Sequence, residues 1–155
     1  MISMDLFHAL EDIASRSFNI NNYDDRLTIQ KLTCILQSAG IKLGYDFDWH
    51  LRGPYSSSLA KDAFGFYQGN KQPQEYNFSD QDKEKIDKIK DYFSSEVSDP
   101  SKVELFGSIL FLHTDRSIPL SDDSLIGIVK SLKPWYDEQQ IVATRDKIIR
   151  SNLFN

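Results

Sequence analysis

The stretch YDFDWHLRGPYSSSL, residues 45–59, is the part of the chain from which the rest of the fold can be inferred. Aromatic and acidic residues alternate strictly over residues 45–49, and this period of two is typical of a half-buried strand with its rings on one face. Gly53 and Pro54 then break the strand, because glycine tolerates positive φ and proline fixes φ and donates no amide hydrogen. A helical pattern starts at Ser57. The stretch therefore predicts a strand, a rigid corner and a capped helix.

The apolar residues on either side of this stretch recur at helical spacing and predict about seven helices. The predicted elements are helices at Met4–Ser15, Arg26–Ala39, Ser57–Gln68 and Pro100–His113, a strand at Leu43–Leu51, a helix capped by Ser79 with Asp82, a helix capped by Ser121, and a last helix opened by Asp137 with Gln140. The helix at Pro100–His113 is apolar around most of its circumference, which predicts a central, buried position. Gly69–Asn77 is polar and indicates a loop or a short hairpin that ends near Tyr76 and Phe78.

The composition is that of one globular domain spanning residues 1–155, with 40% of the residues hydrophobic and 26% charged. Cys34 is the only cysteine, so no internal disulfide can form and a cytoplasmic location is expected. The N-terminal residues include Asp5 and Glu11 and no long apolar run, which argues against a signal peptide or a spanning helix and against a membrane partner. The net charge of −5 disfavours loose, sequence-independent binding to nucleic acid, although a local basic patch can still bind DNA.

The sequence contains no histidine or cysteine spacing typical of a metal site and no glycine-rich phosphate loop, so we expect neither a metal nor a cofactor. The one candidate catalytic row lies on one face of the predicted strand and consists of Asp46, Asp48, His50 and Arg52. A metal-dependent nuclease site would need a further Glu and a Lys nearby. The alternative is a solvated strand face with weak charge pairs, and we favour it, assigning no catalytic residue. Cys34, inside the second helix, is expected to be a buried thiol and not a nucleophile.

The corner and the start of the third helix form the candidate site for a partner protein or DNA. Its residues are Arg52, Tyr55, Ser57, Ser58, Lys61 and, further along the helix, Phe66. The free amides and the positive dipole end of a helix start favour a phosphate or a partner's carboxylate, and the hydroxyl groups can contact the same ligand. The alternative is that Ser56 or Ser57 only caps the helix.

Three motifs make the chain resemble a known set of proteins. They are Leu27-x-x-Gln30-Lys31-Leu32, Tyr45-x-Phe47 and Gly53-Pro54-Tyr55-Ser56-x-x-Leu59, joined later by Glu104-Leu105-x-x-Ser108-Ile109 and Leu132-Lys133-Pro134. With them the chain resembles the small prokaryotic proteins of YwgA type over most of its length. It is more distantly similar to the Panacea (SocA-like) antitoxin domain, which has the same Gln-Lys-Leu helix and Gly-Pro corner.

This resemblance implies a mainly α-helical fold with a winged helix-turn-helix core, one short strand or hairpin, and a C-terminal helical extension over about residues 80–155. It also implies that the protein is not an enzyme. Panacea-type domains are thought to act by binding partner proteins, as antitoxins or adaptors. The function expected first is therefore a non-enzymatic interaction module, antitoxin-like or defence-associated, that binds another protein; a homodimer is left open.

A sequence-specific DNA-binding regulator is the alternative, because winged helices often bind DNA with the third helix in the major groove. The third helix has Lys61 as its one positive charge, offset by Asp62. The candidate wing, Gly69–Phe78, offers only Lys71. A DNA-reading surface normally carries several basic and amide side chains. Exposed aromatic residues around a rigid corner suit a protein interface better.

Overall fold

The computed structural model describes residues 2–72 and 74–155, and within them the chain is mainly helical, as expected. The elements in chain order are β1 (Ile2–Asp5), α1 (Leu6–Ala14), α2 (Tyr23–Ser38), β2 (Asp48–His50), β3 (Gly53–Tyr55), α3 (Ser57–Tyr67), β4 (Glu75–Phe78), α4 (Asp80–Tyr92), α5 (Ser94–Val97), α6 (Pro100–Asp115), α7 (Ser124–Leu132) and α8 (Glu138–Ser151). The described residues thus form eight helices where about seven are predicted. The additional one is the single turn α5, whose four residues are too short for a periodic pattern.

Helices α2 and α6 form the centre of the fold and make its most extensive contact. Every residue of α6 from Val103 to Leu112 is buried, which confirms the central position predicted from its apolar circumference. Gly107 is one reason why the two helices pack closely, since a Cβ at this position would lie 3.3 Å from the Cβ of Lys31 on α2. Helices α1 and α3 pack against α2, helices α5, α7 and α8 pack against α6, and the strand β3 contacts both members of the pair.

The N-terminal residues form a strand that the sequence did not predict. β1 pairs with β4 in an antiparallel register that places Met4 opposite Tyr76, so α1 begins at Leu6 and not at Met4. Asp5 caps α1, because its side chain accepts hydrogen bonds from the amides of the first turn. The short hairpin considered for residues 69–78 is wrong, since the partner of β4 is the distant β1. Pairing across more than seventy residues leaves no local pattern in the sequence.

The alternation at residues 45–49 has the expected burial, with half-buried rings and exposed carboxylates. The strand itself is shorter than predicted: β2 covers Asp48–His50, and it pairs with β3, which contains the Gly-Pro pair. Tyr45 lies outside the strand because the Gln37 side chain, and not a neighbouring strand, forms hydrogen bonds with both of its backbone polar groups. The Gln37 amide accepts from the Tyr45 nitrogen and donates to the Tyr45 oxygen, both at 2.9 Å.

The predicted helix caps are mostly confirmed. Ser56 caps α3, and complete capping boxes open α4 at Ser79 and α8 at Asp137. The cap predicted at Ser121 is wrong: α7 begins later, at Ser124, and is preceded by a short turn. Within the described residues, no helix is both long and apolar enough to cross a membrane.

Candidate functional site

The hairpin β2–β3 is anchored to α2 by side chains that bind its backbone. Gln30 accepts a hydrogen bond from the Ser56 nitrogen at 2.8 Å and donates one to the Ser56 oxygen at 2.9 Å. Lys31 donates from Nζ to the Pro54 oxygen at 2.6 Å. All three bonds are buried, where an unpaired backbone group costs more than at the surface. The end of the hairpin and the start of α3 are therefore held in one place.

Gly53 brings the hairpin against α6. Its φ is +95°, which L-residues with a side chain rarely adopt. A Cβ at Gly53 would also lie 2.7 Å from Oγ of Ser108, closer than any normal contact. Both the backbone angle and the available space therefore require glycine at this corner.

A buried ionic cluster ties the hairpin to α6 and to the segment after α7. Glu104, which is fully buried, forms an ion pair with Nε of Arg52 and accepts from Nζ of Lys133 at 3.2 Å and from the Tyr136 hydroxyl at 3.0 Å. Lys133 also donates to the Leu51 oxygen at 3.4 Å. The carboxylate thus has three donors, which is the condition under which a buried charge is tolerated.

Burial sets the protonation of the lysines beside this cluster. It lowers the pKa of Lys31 to about 7, and the nearby Glu104 opposes that shift only in part. Burial also lowers the pKa of Lys133, against the attraction of Glu104. One carboxylate therefore faces three basic groups, Lys31, Arg52 and Lys133, and the last two add a smaller lowering of the pKa of Lys31 to the larger effect of burial. Elsewhere on α2, burial raises the pKa of Cys34 to about 12, so that it is the buried thiol that was expected.

An apolar pocket of about 310 Å³ lies between the hairpin and the helices α2 and α3. Its lining comprises Ile20, Tyr23, Arg26, Leu27, Ile29, Gln30 and Lys31, the hairpin residues His50, Leu51, Arg52, Gly53 and Tyr55, and Ala60, Ala63 and Phe64 of α3. Three large apolar side chains on its border are exposed to an unusual degree: Leu51 by 84%, Tyr23 by 49% and Phe64 by 37%. The pocket is thus concave, apolar and bordered by rings, which are the usual features of a binding site.

The charged groups of this lining all have the same sign. Arg26, Lys31 and Arg52 contribute to it, and no carboxylate among the described residues does. Both guanidinium groups lie against the Tyr23 ring, each with its central carbon 5.7 Å from the ring centroid. At this distance the cation is attracted by the ring face, so Tyr23 helps to orient both arginines.

The residues predicted for the site do not form one surface. Arg52 and Tyr55 line the pocket. Ser57, Ser58 and Lys61 are exposed on the first turns of α3, outside that lining.

Phe66, also predicted for the site, lies on another face of α3, outside the pocket lining. Its ring is half-buried and packs 5.0 Å from that of Phe7 on α1, so it stabilises the fold and does not border the pocket. The exposed ring of α3 that does border the pocket is Phe64.

Tyr23 and Arg26 are functional candidates that the sequence reasoning missed. A signal was present, because Tyr23, Leu27 and Gln30 are spaced by four and three residues and therefore share one face of α2. Gln30 belongs to the Gln-Lys-Leu motif, and the face of α2 that carries it begins at the aromatic residue Tyr23.

The candidate catalytic row is divided between two places. Asp46 and Asp48 border an open hollow beside α6, whereas His50 and Arg52 border the apolar pocket on the other side of the hairpin. Arg52 is engaged by Glu104, and the His50 ring lies 4.8 Å from that of Tyr55. Within residues 2–72 and 74–155, no three histidine, cysteine or carboxylate side chains are grouped to hold a metal ion.

Comparison of the chain with models of protein families, with curated proteins and with solved structures gives no match in any of the three. The pocket and the cluster that supports it are therefore interpreted from their own chemistry.

Proposed function

We propose that the chain is a non-enzymatic interaction module that binds a partner protein through the apolar pocket beside the hairpin. The observation that carries this proposal is the set of exposed side chains on the pocket border, Tyr23, Leu51 and Phe64. Large apolar side chains that are grouped and exposed around a concavity are typical of protein-binding surfaces. An isolated exposed ring would carry no such implication.

The anchoring of the hairpin supports this proposal. Gln30 and Lys31 hold its backbone, and Glu104 holds Arg52, so the pocket border is ordered before any partner arrives. A preorganised surface avoids the entropy cost of ordering side chains and loops upon association. The same bonds leave the exposed tips of Leu51 and Phe64 free to contact a partner.

The resemblance to YwgA-type and Panacea-like proteins is compatible with this role. The motif residues that carry it, among them Gln30, Lys31, Pro54 and Glu104, are the ones that hold the pocket in shape. The border residues Tyr23 and Phe64 lie outside those motifs. We therefore propose an antitoxin-like or defence-associated regulator that acts in the cytoplasm.

A sequence-specific DNA-binding regulator with a winged helix-turn-helix core is the second candidate. It is favoured by the exposed Ser57, Ser58 and Lys61 at the start of α3, which the rigid hairpin orients. It is disfavoured by Lys71, whose charge is paired with Asp62. This candidate predicts binding to DNA that weakens steeply with added salt and that Lys61→Ala weakens, as measured by anisotropy with labelled upstream DNA.

The partner-binding proposal is tested by quantitative affinity capture from the native host. The bait is the whole chain, the double variant Tyr23→Ala with Phe64→Ala, or Tyr92→Ala as a matched control. Tyr92 is exposed by 41% and lies on α4, outside the pocket lining. We expect a specific partner to be lost by the double variant and retained by the control. Equal capture by all three baits, with unchanged circular dichroism, would refute the proposal.

A further inference from the structure

We infer that the pocket binds an acidic peptide segment of its partner, in which a large apolar side chain enters the pocket and a neighbouring Asp or Glu contacts Arg52 and Arg26. This inference rests on the proposed function and adds the chemistry of the bound segment. It follows from three properties of the lining: its size, the sign of its charges, and the donors that Arg52 leaves unused.

The size of the pocket limits what can enter it. Its volume of about 310 Å³ is at the lower end of the range for ligand pockets. Such a space accommodates one or two apolar side chains. Ile20, Leu27 and Ala63 form part of its wall and offer an apolar surface for them.

The charges select an anionic partner. The protein as a whole carries a net charge of −5, so its overall field disfavours the approach of an acidic segment. The pocket differs, since its lining carries the basic residues Arg26, Lys31 and Arg52 and, among the described residues, no carboxylate. Lys31 is not available to a ligand, because it is buried and bound to the Pro54 oxygen. The two arginines are therefore the groups that an acidic segment meets.

Arg52 is suited to bind a carboxylate with two hydrogen bonds. Only its Nε is used by Glu104, and neither of its Nη atoms has a hydrogen-bond partner among the described residues. Its side chain is 38% exposed and lies against the Tyr23 ring. A guanidinium group held by one nitrogen and stacked on a ring presents its other donors in a fixed direction, which matches the fork of a carboxylate.

Arg26 contacts the same tyrosine ring. One of its Nη atoms donates to the Ile20 oxygen at 3.0 Å, and its guanidinium group also lies against Tyr23. Two arginines oriented by one tyrosine form a small cluster of the kind that recognises acidic motifs. An internal Asp or Glu suits this cluster better than a chain end, because terminal carboxylates are usually captured by groups of backbone amides.

The test is selection from a library of random dodecapeptides displayed with both ends joined to the carrier, so that no free carboxyl terminus is present. The baits are the whole chain, Arg26→Gln, Arg52→Gln and the control Arg150→Gln, which is exposed on α8. We expect the whole chain and the control to enrich peptides that carry Leu, Phe or Trp flanked by Asp or Glu. For a synthetic peptide of the enriched sequence, we expect each pocket variant to bind about tenfold more weakly, as for one lost charge-assisted hydrogen bond.

Three results would overturn the inference: enriched sequences without acidic residues, equal enrichment by the arginine variants, or no enrichment at all. A second library of peptides with free carboxyl termini shows whether the bound carboxylate is an Asp or Glu side chain or the end of the peptide chain. Binders found only in this second library would contradict the binding of an internal segment. Arg26→Gln keeps the test valid if Arg52→Gln fails to fold, since Arg26 is not bound to buried Glu104. If capture of the natural partner depends on Tyr23 and Phe64 but not on either arginine, the inference fails while the proposed function stands.

Discussion

Gln30 and Ser56 are joined by two buried hydrogen bonds, one to the amide nitrogen and one to the carbonyl oxygen of Ser56. The side chain of Gln30 thus takes the place of a neighbouring strand, which would pair with the same two backbone groups. The residues are 26 positions apart, and this contact explains why a Gln-Lys-Leu helix and a Gly-Pro-Tyr-Ser corner occur in one chain. The helix supplies the hydrogen-bond donors and acceptors that the backbone of the corner requires.

Replacing Gln30 with Leu tests this contact. The substitution keeps the side-chain size and removes both polar atoms, so the buried Ser56 nitrogen loses its partner. We expect the free energy of unfolding to fall by about 2 kcal/mol, the usual cost of an unpaired buried group. The measurement is urea unfolding followed by circular dichroism.

Gln139→Leu is the control for that experiment, since Gln139 is exposed in the first turn of α8. It should change the free energy of unfolding by less than about 0.5 kcal/mol. If the two substitutions changed the free energy of unfolding equally, Gln30 would contribute to stability as a helix residue and not through its hydrogen bonds to Ser56.

Gly53→Ala should destabilise the protein by both strain and collision. The φ of +95° is unfavourable for alanine, and the new Cβ would lie 2.7 Å from Oγ of Ser108. Gly44 is a matched control, because its φ is +85° and nothing lies within 4 Å of a Cβ there. We expect Gly44→Ala to cost about 1 kcal/mol through backbone strain, and Gly53→Ala to cost at least about 2 kcal/mol more through the collision.

Ser108→Ala separates the two causes. The Ser108 hydroxyl is buried and is the side-chain polar atom without a hydrogen-bond partner within the described part of the chain. Its removal alone should leave stability unchanged or raise it slightly, because no bond is lost. In the double variant with Gly53→Ala, removal of the Ser108 hydroxyl should recover most of the stability lost to the collision. The stability lost to backbone strain should not be recovered. If the changes in the free energy of unfolding caused by the two substitutions were simply additive, this would contradict the close approach of the hairpin to α6.

The elements with strong local signals could be predicted from the sequence. Ser79 with Asp82 and Asp137 with Gln140 open helices where expected, and the apolar circumference of Pro100–His113 correctly indicated the core. The pairing of β1 with β4 was missed, because it joins residues at least seventy positions apart and leaves no local pattern in the sequence.

The site was predicted only in part, for a similar reason. Arg52 and Tyr55 lie in the stretch that was singled out, and the pocket includes both. Tyr23 and Phe64 come from other segments, and only the folded α2 and α3 place them beside the hairpin. Glu104 could have been recognised from the sequence, since a carboxylate at the start of the apolar stretch of α6 indicates a buried cation partner, and Lys133 and Arg52 are those partners.

Glu104→Gln should strongly destabilise the protein. It leaves the charges of Arg52 and Lys133 uncompensated, and breaking a buried ion pair from one side costs about 3 to 5 kcal/mol. Glu84→Gln is the control, because the ion pair of Glu84 with Lys88 lies on the exposed face of α4 and should contribute less than about 0.5 kcal/mol. Thermal unfolding of both variants measures the difference. Similar melting temperatures would mean that solvent reaches the cluster and screens its charges.

Lys31 should make the protein more stable as the pH rises above neutrality. Burial lowers its pKa in the folded chain to about 7, from an ordinary value of 10.5, so between these values the unfolded chain binds a proton that the folded chain does not. The free energy of unfolding then rises with pH, by at most about 1.4 kcal/mol per pH unit for this one proton. Below pH 7 both states are protonated, and this contribution to the slope disappears. The lowered pKa of Lys133 acts in the same direction.

The pH dependence is best measured by urea unfolding between pH 7 and 9. At higher pH the effect is opposed, because burial raises the pKa of Cys34 and that of Tyr136 to about 12, so the unfolded chain loses first the thiol proton and then the tyrosine proton. Lys31→Met should lower stability overall, since the Pro54 oxygen loses its donor, but the decisive result is a flatter pH profile. The control Lys61→Met alters an exposed lysine and should keep the wild-type slope. Parallel profiles for the wild type and Lys31→Met would show that Lys31 remains protonated beneath the hairpin throughout this range.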